Sequence, residues 1–484
     1  MGEAGCRDNP ADILSRKCNH LNVKEINPVS IRALFPGLVE EGGVTQRAAA
    51  AFPLAPRPTL NAMGAKMREG PLEGEWREAW RYLSQAEETK TEAMALLSAF
   101  EPETNAPPLP PEVTQALFME RTMSVSRLES FAACPYRHFV EQGLSPKPRK
   151  EWTLTPIDAG NFYHSALEGF TRLLPTIPHW PKIDKKTCDA MVDQAAEPLL
   201  EQLLSGVMGD SARMRAQGEK YRRVLKRVAW TFTRGAKQSA FSPQSAEVKF
   251  GYGEGIPPVA LTLKDGSTVY VRGIIDRIDR YEGDAGVYLR VVDYKSGAEK
   301  LDAARIFWGT QLQLLLYLRA ALSQEENAQP AGAFYMRVAD PLEPDREDTA
   351  QVEDALARAL CLRGVALKDA AILRAMDDGS PPLTLPKVLT ASGDFDQRAM
   401  LANLEDMKAL IGHASQMAAQ WAEKMRAGEI DASPLCDQKL KGPCEYCDYA
   451  AICRRDVSRA PENARRMQEM HFDALLEEIN KRKA

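Results

Sequence analysis

The sequence lacks the features of several common functional classes. It contains no Gly-Lys-Ser or Gly-Lys-Thr tripeptide, which a Walker A phosphate-binding loop requires, so we do not expect the chain to hydrolyse ATP by itself. No apolar run approaches the roughly 18 residues of a membrane span, and the polar N-terminal residues lack the apolar centre of a secretory signal. The expected location is therefore the cytoplasm.

The chain also lacks a strong net charge. Its 484 residues carry a formal net charge of −5, which by itself gives no indication of a polyanionic partner. The local exception is the segment 211–240, which contains nine Lys and Arg residues and one acid. This segment is either the solvated face of a helix or a surface that faces phosphates. The nine cysteines are an odd number, and disulfides are not expected in a reducing cytosol.

The order of the predicted elements indicates an α/β fold. A proline-rich break, PETNAPPLPPE at 102–112, is the best candidate domain boundary. After it, Ser126 and Glu129 fit a capping box at a helix start, and a helix is predicted over 158–174. From residue 245, β-rich runs separated by turn residues predict a mostly antiparallel sheet. A long apolar helix over about 303–323 and a buried strand over 331–339 follow.

The most informative stretch is RGIIDRIDRYEGDAGVYLRVVDYKSG. Asp276 ends one apolar strand, and Asp293-Tyr294-Lys295 ends the next. Because side chains alternate along a strand, Asp293 and Lys295 share one face. Two facing carboxylates would hold a hard cation such as Mg²⁺, and the lysine would orient a water or stabilise charge on a phosphate. Alone, the pattern more often marks ordinary carboxylates with a salt-bridged lysine.

Further polar residues accompany these strand ends. Glu247 lies ahead of the sheet and would reach the same corner. His164 lies on a predicted helix with Glu168 one turn later on the same face. Gln313 and Tyr317 are four residues apart in the apolar helix after the Lys295 strand, so they point the same way. Their interpretation is either contact with substrate and catalytic strands or hydrogen bonding within the core.

The order of these residues resembles the RecB-like branch of the PD-(D/E)xK nuclease superfamily. Together with SVSRLESFAACPYRHF and a C-terminal cysteine loop, it is similar to the C-terminal part of the AddB family, the B subunits of bacterial AddAB ATP-dependent helicase–nucleases. The similarity covers about residues 120–458. The signature proline before the first acid is absent, since Ile275 precedes Asp276, but RecB-like members commonly lack it.

The resemblance implies a mixed sheet flanked by helices. This restriction-endonuclease-like core would carry a large helical insertion and an iron–sulfur staple. Residues 121–458 would form the nuclease domain closed by the cluster. Residues 1–120 would be the remnant of a helicase-like region with its proline-rich linker, and 459–484 a helical tail. Members of this family are much longer, so we interpret the chain as a truncated or partial AddB-like protein.

The resemblance also implies roles for individual residues. Seven would form the catalytic site: His164, Glu247, Asp276, Asp293, Lys295, Gln313 and Tyr317. Of these, His164, Asp276 and Asp293 would bind Mg²⁺, with Glu247 assisting at the metal or its water. Lys295 would act on the attacking water or the scissile phosphate, and the remaining two would support the site and the nucleic acid.

The implied reaction is phosphodiester hydrolysis, mainly as an exonuclease on single-stranded DNA. The chain would act in double-strand break repair and recombination, as a heterodimer with an AddA-type helicase–nuclease subunit. The main alternative is a catalytically inert DNA-binding scaffold stabilised by an iron–sulfur cluster. A stand-alone RecB-like nuclease is a further alternative, but such chains are much shorter.

The segment GPCEYCDYAAICRRD contains three closely spaced cysteines, Cys444, Cys447 and Cys453. A closed structural site needs four ligands, and the spacing leaves the fourth open between Cys134 and Cys436. Four thiolates also suit either Zn²⁺ or a cluster. The family resemblance implies Cys134, in the motif AACPYRHF, and a [4Fe–4S] cluster that stabilises the fold without carrying an electron.

Overall fold

A computed structural model describes most of the chain from residue 55 onward. The described residues are 55–99, 107–118, 120–147, 156–178, 180–204, 211–253, 255–341, 349–390, 392–453 and 464–483. The chain divides into two compact units between Thr104 and Asn105, within the proline-rich segment. The limit expected at residue 458 lies outside the described residues. Within these ranges, no helix is long and apolar enough to cross a membrane.

The first unit is helical where it is described. Its helices are α1 (Pro56–Glu69), α2 (Gly74–Leu83) and α3 (Lys90–Ser98). They share a small apolar cluster in which Met63 and Leu83 are fully buried.

The second unit contains all the strands of the described chain. Its helices are α4 (Pro111–Phe118), α5 (Val125–Ala133), α6 (Pro135–His138), α7 (Pro156–Leu173), α8 (Lys185–Leu204), α9 (Ala212–Ala236), α10 (Ala303–Phe307), α11 (Gln313–Leu322), α12 (Thr349–Ala359), α13 (Ala370–Met376), α14 (Leu404–Arg426), α15 (Ala450–Cys453) and α16 (Phe472–Lys483). Its strands are β1 (Thr122–Ser124), β2 (Ser242–Phe250), β3 (Val259–Thr262), β4 (Thr268–Gly283), β5 (Gly286–Lys295), β6 (Gln329–Arg337), β7 (Arg363–Leu367), β8 (Leu401–Ala402), β9 (Leu435–Cys436) and β10 (Arg465–Arg466).

Strand β4 organises the main sheet. The order is β1-β4-β5-β6-β7-β8, and β2 and β3 also pair with β4. The pairs β2/β4, β3/β4 and β4/β5 are antiparallel, whereas β5/β6 and β7/β8 are parallel. The expected mixed sheet flanked by helices is therefore confirmed, and the predicted antiparallel pairing holds among β2, β3, β4 and β5, whereas β1 pairs parallel with β4.

Helices cover both faces of the sheet. Because side chains alternate, neighbouring β5 residues enter different cores. Val291 packs into the core that contains Leu315 of α11, and Val292 packs into the core that contains Val228 of α9. Burial on both faces explains why β5 is almost continuously apolar instead of alternating.

A buried ion network lies between β4, β5 and α9. The Nε atoms of Arg277 and Arg290 lie 2.9 Å from the two carboxylate oxygens of Asp279. Phe232 and Phe241 cover the two guanidinium groups, with ring centroids at 4.2 Å and 4.7 Å. Asp279 is fully buried, so its charge depends on these partners.

Two helix boundaries differ from the sequence prediction. The helix expected over 303–323 is two helices, α10 and α11, because Gly309 has a φ of 69° and lies against Trp421. The cap of α5 is Ser124 instead of Ser126, since Ser124 Oγ accepts a hydrogen bond from the Arg127 N–H at 3.2 Å. Glu129 consequently does not complete a capping box.

The basic segment forms α9, and acids neutralise much of it. Five basic side chains pair with acids from other elements: Arg222 with Glu197, Lys226 with Asp193, Arg223 and Arg227 with Asp340, and Arg234 with Asp354. Basic side chains that are paired with acids attract a phosphate backbone less strongly than unpaired ones. The structure therefore favours an ion-paired helix face for this part of the segment.

Candidate functional site

Three predicted site residues converge from three elements. Helix α7 carries His164, β2 carries Glu247 and β4 carries Asp276, and one ligand atom from each lies within 4.8 Å of the others. His164 Nδ1 is 3.1 Å from Asp276 Oδ2. Strand pairing explains why Glu247 lies near Asp276. Ala246 pairs with Arg277 and Val248 pairs with Ile275. Glu247 therefore lies opposite Asp276. We refer to His164, Glu247 and Asp276 as the acidic corner.

The backbone of Glu247 has an unusual conformation for a strand residue. Its φ is 49°, in the left-handed region that side chains other than glycine rarely adopt. Such residues cost roughly 1–3 kcal/mol and cluster at functional sites. The strain therefore accompanies the placement of this carboxylate at the acidic corner.

Asp276 connects the two central strands. Its Oδ2 atom accepts a hydrogen bond from the Tyr294 N–H at 2.6 Å, and its side chain is buried. Tyr294 lies between Asp293 and Lys295 on β5. The same carboxylate oxygen therefore approaches His164 and also fixes the end of the neighbouring strand.

A second group, which we call the lysine network, adjoins the acidic corner. Lys295 Nζ lies 2.6 Å from Asp293 Oδ2 and donates to Gln313 Oε1 at 3.0 Å. Gln313 Nε2 donates to Asp293 Oδ1 at 2.9 Å and to Tyr317 Oη at 3.1 Å. Four predicted residues thus form one hydrogen-bonded chain, in which the Asp293 carboxylate contacts Lys295 and Gln313.

Burial and crowding of carboxylates change the acid–base behaviour of the site. Burial, reinforced by the charges of Asp276 and Glu168, raises the pKa of Glu247 to about 7. Burial and the charge of Asp276 also raise the pKa of Asp293 to about 7. These carboxylates repel each other, so a bound cation would favour their ionised forms.

Burial and neighbouring charges oppose each other at the two basic groups. Burial acts to lower the pKa of His164, but the hydrogen bond and charge of Asp276 outweigh it and raise that pKa. Burial also acts to lower the pKa of Lys295. The charge and hydrogen bond of Asp293 outweigh it and raise this pKa above its ordinary value. Lys295 therefore remains protonated at neutral pH.

The cysteines form a separate site. Cys134, Cys444, Cys447 and Cys453 line one cavity together with Tyr136 and Pro434. Burial, reinforced by the charges of the other cysteines, raises the pKa of Cys444 to about 12.

Cys436, the alternative fourth ligand, is not among the residues that line this cavity. It is fully buried on β9.

Glu129 and Arg465 lie beside these sites, although local sequence patterns predict no role there for either residue. Glu129 Oε1 accepts hydrogen bonds from the Leu312 and Gln313 N–H groups. Arg465 donates to the carbonyl oxygens of Ser433 and Ala132, and so connects the segments before Cys436 and Cys134. Neither contact has a local sequence signal, because each joins segments far apart in the chain.

Comparison with known families identifies the catalytic fold. The sequence profile of the PD-(D/E)XK nuclease superfamily matches residues 122–454, a range that includes both sites. The chain belongs to the PD-(D/E)XK nuclease superfamily. This membership confirms the fold that the motif order predicts, with β4 and β5 as the strands that carry Asp276, Asp293 and Lys295.

Several curated relatives carry the name of the B subunit of an ATP-dependent helicase/deoxyribonuclease. The protein of this name from Alkaliphilus oremlandii is 33% identical over 369 residues, which cover 74% of this chain and 32% of the relative. Its namesakes from Ruminiclostridium cellulolyticum and Desulforudis audaxviator are 29% and 32% identical over 90% and 88% of this chain. The predicted resemblance to B subunits is confirmed, and the chain spans about a third of these relatives' length.

Proposed function

We propose that this chain is a Mg²⁺-dependent deoxyribonuclease. It would hydrolyse phosphodiester bonds, mainly as an exonuclease on single-stranded DNA. The observation that carries this proposal is the hydrogen bond from the Tyr294 N–H to Asp276, which sets the acidic corner beside the strand end that carries the lysine network. Carboxylates and an imidazole next to a protonated lysine match the needs of phosphate hydrolysis, in which negative charge grows on the phosphate.

The residues of the acidic corner fit a divalent cation. Glu247 and Asp276 offer the oxygen ligands that Mg²⁺ prefers, and this ion needs few protein ligands because it keeps several waters. His164 and Asp293 complete the set implied by the family. When bound, the ion would polarise the phosphate and lower the pKa of a coordinated water.

The protein groups divide the remaining work. Lys295 is protonated, so it is suited to stabilise charge on the scissile phosphate and unsuited to accept a proton from water. Glu247 would assist at the metal or at its coordinated water, where an ionised carboxylate can accept a proton. Gln313 would hold Asp293 and Lys295 at fixed positions, and Tyr317 would in turn support Gln313.

The cysteine site fits a [4Fe–4S] cluster held by Cys134, Cys444, Cys447 and Cys453. These four thiols line one cavity. Four thiolates suit either Zn²⁺ or an iron–sulfur cluster, and the family resemblance favours the cluster. The cluster would join α5 to the C-terminal cysteine loop and stabilise the nuclease domain.

The relatives' name supports a role in a helicase–nuclease complex. We propose that this chain is the nuclease part of an AddAB-type enzyme of double-strand break repair and recombination. Its partners would be an AddA-type subunit in a heterodimer and the single-stranded ends of unwound DNA. Such a role would place the chain in the cytoplasm.

End-labelled single-stranded DNA tests the nuclease proposal. Anaerobically purified protein should cleave it with Mg²⁺ and not with EDTA, and Asp276→Asn and Lys295→Ala should lower the cleavage rate at least about 10²-fold. Asp394→Asn and Lys408→Ala are matched controls at residues outside the two sites and should retain full activity. If wild-type protein binds the DNA without cleaving it, and the site variants behave identically, the chain is an inert scaffold instead.

A further inference from the structure

Glu129 contacts the lysine network from a distant helix. It lies on α5, and its Oε1 atom accepts hydrogen bonds from the Leu312 N–H at 2.6 Å and the Gln313 N–H at 2.9 Å. Glu129 and Leu312 are 183 positions apart in the sequence. These two N–H groups begin helix α11, which has no intrahelical acceptor for them.

Helix α11 depends on this outside carboxylate for its N-terminal cap. Its own N-cap residue is Leu312, whose side chain forms no capping hydrogen bond. Glu129 thus supplies what a serine or aspartate supplies at most helix starts.

The first residue of this helix is the centre of the lysine network. Gln313 contacts Asp293, Lys295 and Tyr317 through its side chain, while Glu129 holds its backbone N–H. A shift of the α11 N-terminus would therefore move the amide that hydrogen-bonds to both Asp293 and Lys295. Displacements near 1 Å at a catalytic group cost about 10²-fold in rate.

We propose that Glu129 is a positioning residue of the nuclease site. It holds the start of α11 so that Gln313 keeps Lys295 and Asp293 in their reactive arrangement. This inference rests on the proposed nuclease function. It assigns Glu129 no contact with substrate or metal, because its hydrogen bonds go to the α11 backbone.

The same helix leads directly to the cysteine site. Helix α5 ends at Ala133, and the next residue, Cys134, donates its N–H to Ser130 O at 3.0 Å. One short helix thus carries the α11 cap near its middle and a cysteine of the cavity at its end. Movement of Cys134 would be transmitted to Glu129 through little more than one helical turn.

The test compares Glu129→Ala and Glu129→Gln under single- and multiple-turnover conditions. We expect Glu129→Ala to lower kcat at least tenfold, with KM for single-stranded DNA changed less than twofold. Glu129→Gln should stay within about threefold of wild type, because its amide oxygen accepts the same two hydrogen bonds. If Glu129→Gln retains activity and Glu129→Ala does not, the defect comes from loss of the hydrogen-bond acceptor and not from loss of the charge.

Asp369→Ala is the matched control. The Asp369 carboxylate also accepts two backbone N–H bonds, at the start of α13, which carries no proposed site residue. This variant should retain wild-type kcat. Normal turnover by Glu129→Ala, or equal damage in Glu129→Gln and Glu129→Ala, would overturn the proposal.

Amide hydrogen exchange tests whether Glu129 caps α11 independently of nuclease activity. In Glu129→Ala the amides at the start of α11 should exchange at least tenfold faster, and in Glu129→Gln they should exchange as in wild type. If wild-type protein cleaves no DNA, the nuclease proposal fails and the catalytic part of this inference fails with it. Unchanged α11 exchange in Glu129→Ala with active wild type would overturn the Glu129 inference alone.

Discussion

Lys295 Nζ lies 2.6 Å from Asp293 Oδ2, and the two residues share one face of β5 at its end. The pair is asymmetric, because Asp293 is almost completely buried while the lysine side chain retains 30% exposure. The lysine therefore reaches from a buried carboxylate toward the surface. This arrangement leaves the cation accessible to a phosphate while its counter-ion stays fixed.

Removal of the Lys295 ammonium group should affect the chemical step most. We expect Lys295→Ala to lower the single-turnover cleavage rate about 10²–10³-fold, the range for removal of one electrostatic stabiliser of a transition state. DNA affinity should change little, since one phosphate contact among many is lost. Rapid-quench kinetics on labelled DNA measure both quantities. A rate within threefold of that of Lys408→Ala would contradict the proposed role.

The raised pKa of Glu247 should make metal-free stability depend on pH. Folding raises this pKa from 4.5 to about 7, so between these values the folded state binds more protons than the unfolded state. The free energy of unfolding should therefore fall as pH rises from about 4.5 through about 7. Glu247→Gln should flatten this decline, whereas Asp284→Asn, at an exposed turn, should preserve it. Denaturant titrations in EDTA at several pH values provide the measurement.

Metal affinity should show the opposite trend with pH. A divalent cation binds the ionised carboxylates, and both Glu247 and Asp293 lose their protons near pH 7. We expect Mn²⁺ affinity, measured by calorimetry, to increase from pH 6 to pH 8. Affinity that is constant over this range would show that neither carboxylate participates in binding.

The identity of the fourth cysteine predicts a clear difference between two variants. Cys134→Ala should lose bound iron and visible absorbance, because Cys134 lines the cavity with the three C-terminal cysteines. Cys436→Ala should retain both, since Cys436 does not line that cavity. Iron analysis of anaerobically purified protein distinguishes them. Full iron in Cys134→Ala, or zinc in the wild type, would refute the assignment.

The buried ion network should be important for stability. Asp279→Ala leaves Arg277 and Arg290 buried without their shared carboxylate, and loss of one partner of a buried pair costs about 3–5 kcal/mol. We expect a decrease of this size in the free energy of unfolding. Glu405→Ala, which removes an exposed partner of Lys408, should cause almost none. Equal effects of the two substitutions would contradict this interpretation.

Local sequence patterns predict the parts of the site that depend on local geometry. The alternation of a strand is sufficient to place Asp293 beside Lys295, and the four-residue spacing on a helix is sufficient to bring Gln313 to Tyr317. The β-rich runs and the covering helices follow from the same periodicities. The family resemblance then selects which of these polar residues belong together.

The remaining features depend on contacts between distant segments. The cap that Glu129 gives α11 joins residues from two helices, so no local pattern reveals it. The left-handed backbone of Glu247 reflects its place opposite Asp276 and not its own preference. Gly309 ends α10 because Trp421 of a later helix lies against it, which the apolar run around the glycine conceals.

The cysteine cavity has a consequence for the order of events during synthesis. Cys134 leaves the ribosome well before the three cysteines at 444–453, and β2 through β8 are made in between. The cavity is therefore complete only after the whole catalytic sheet has been translated. Closing so long a loop early would carry a large entropic penalty, which a prefolded sheet removes by bringing the two segments together. The proposed cluster would then be inserted only into chains whose sheet has already formed.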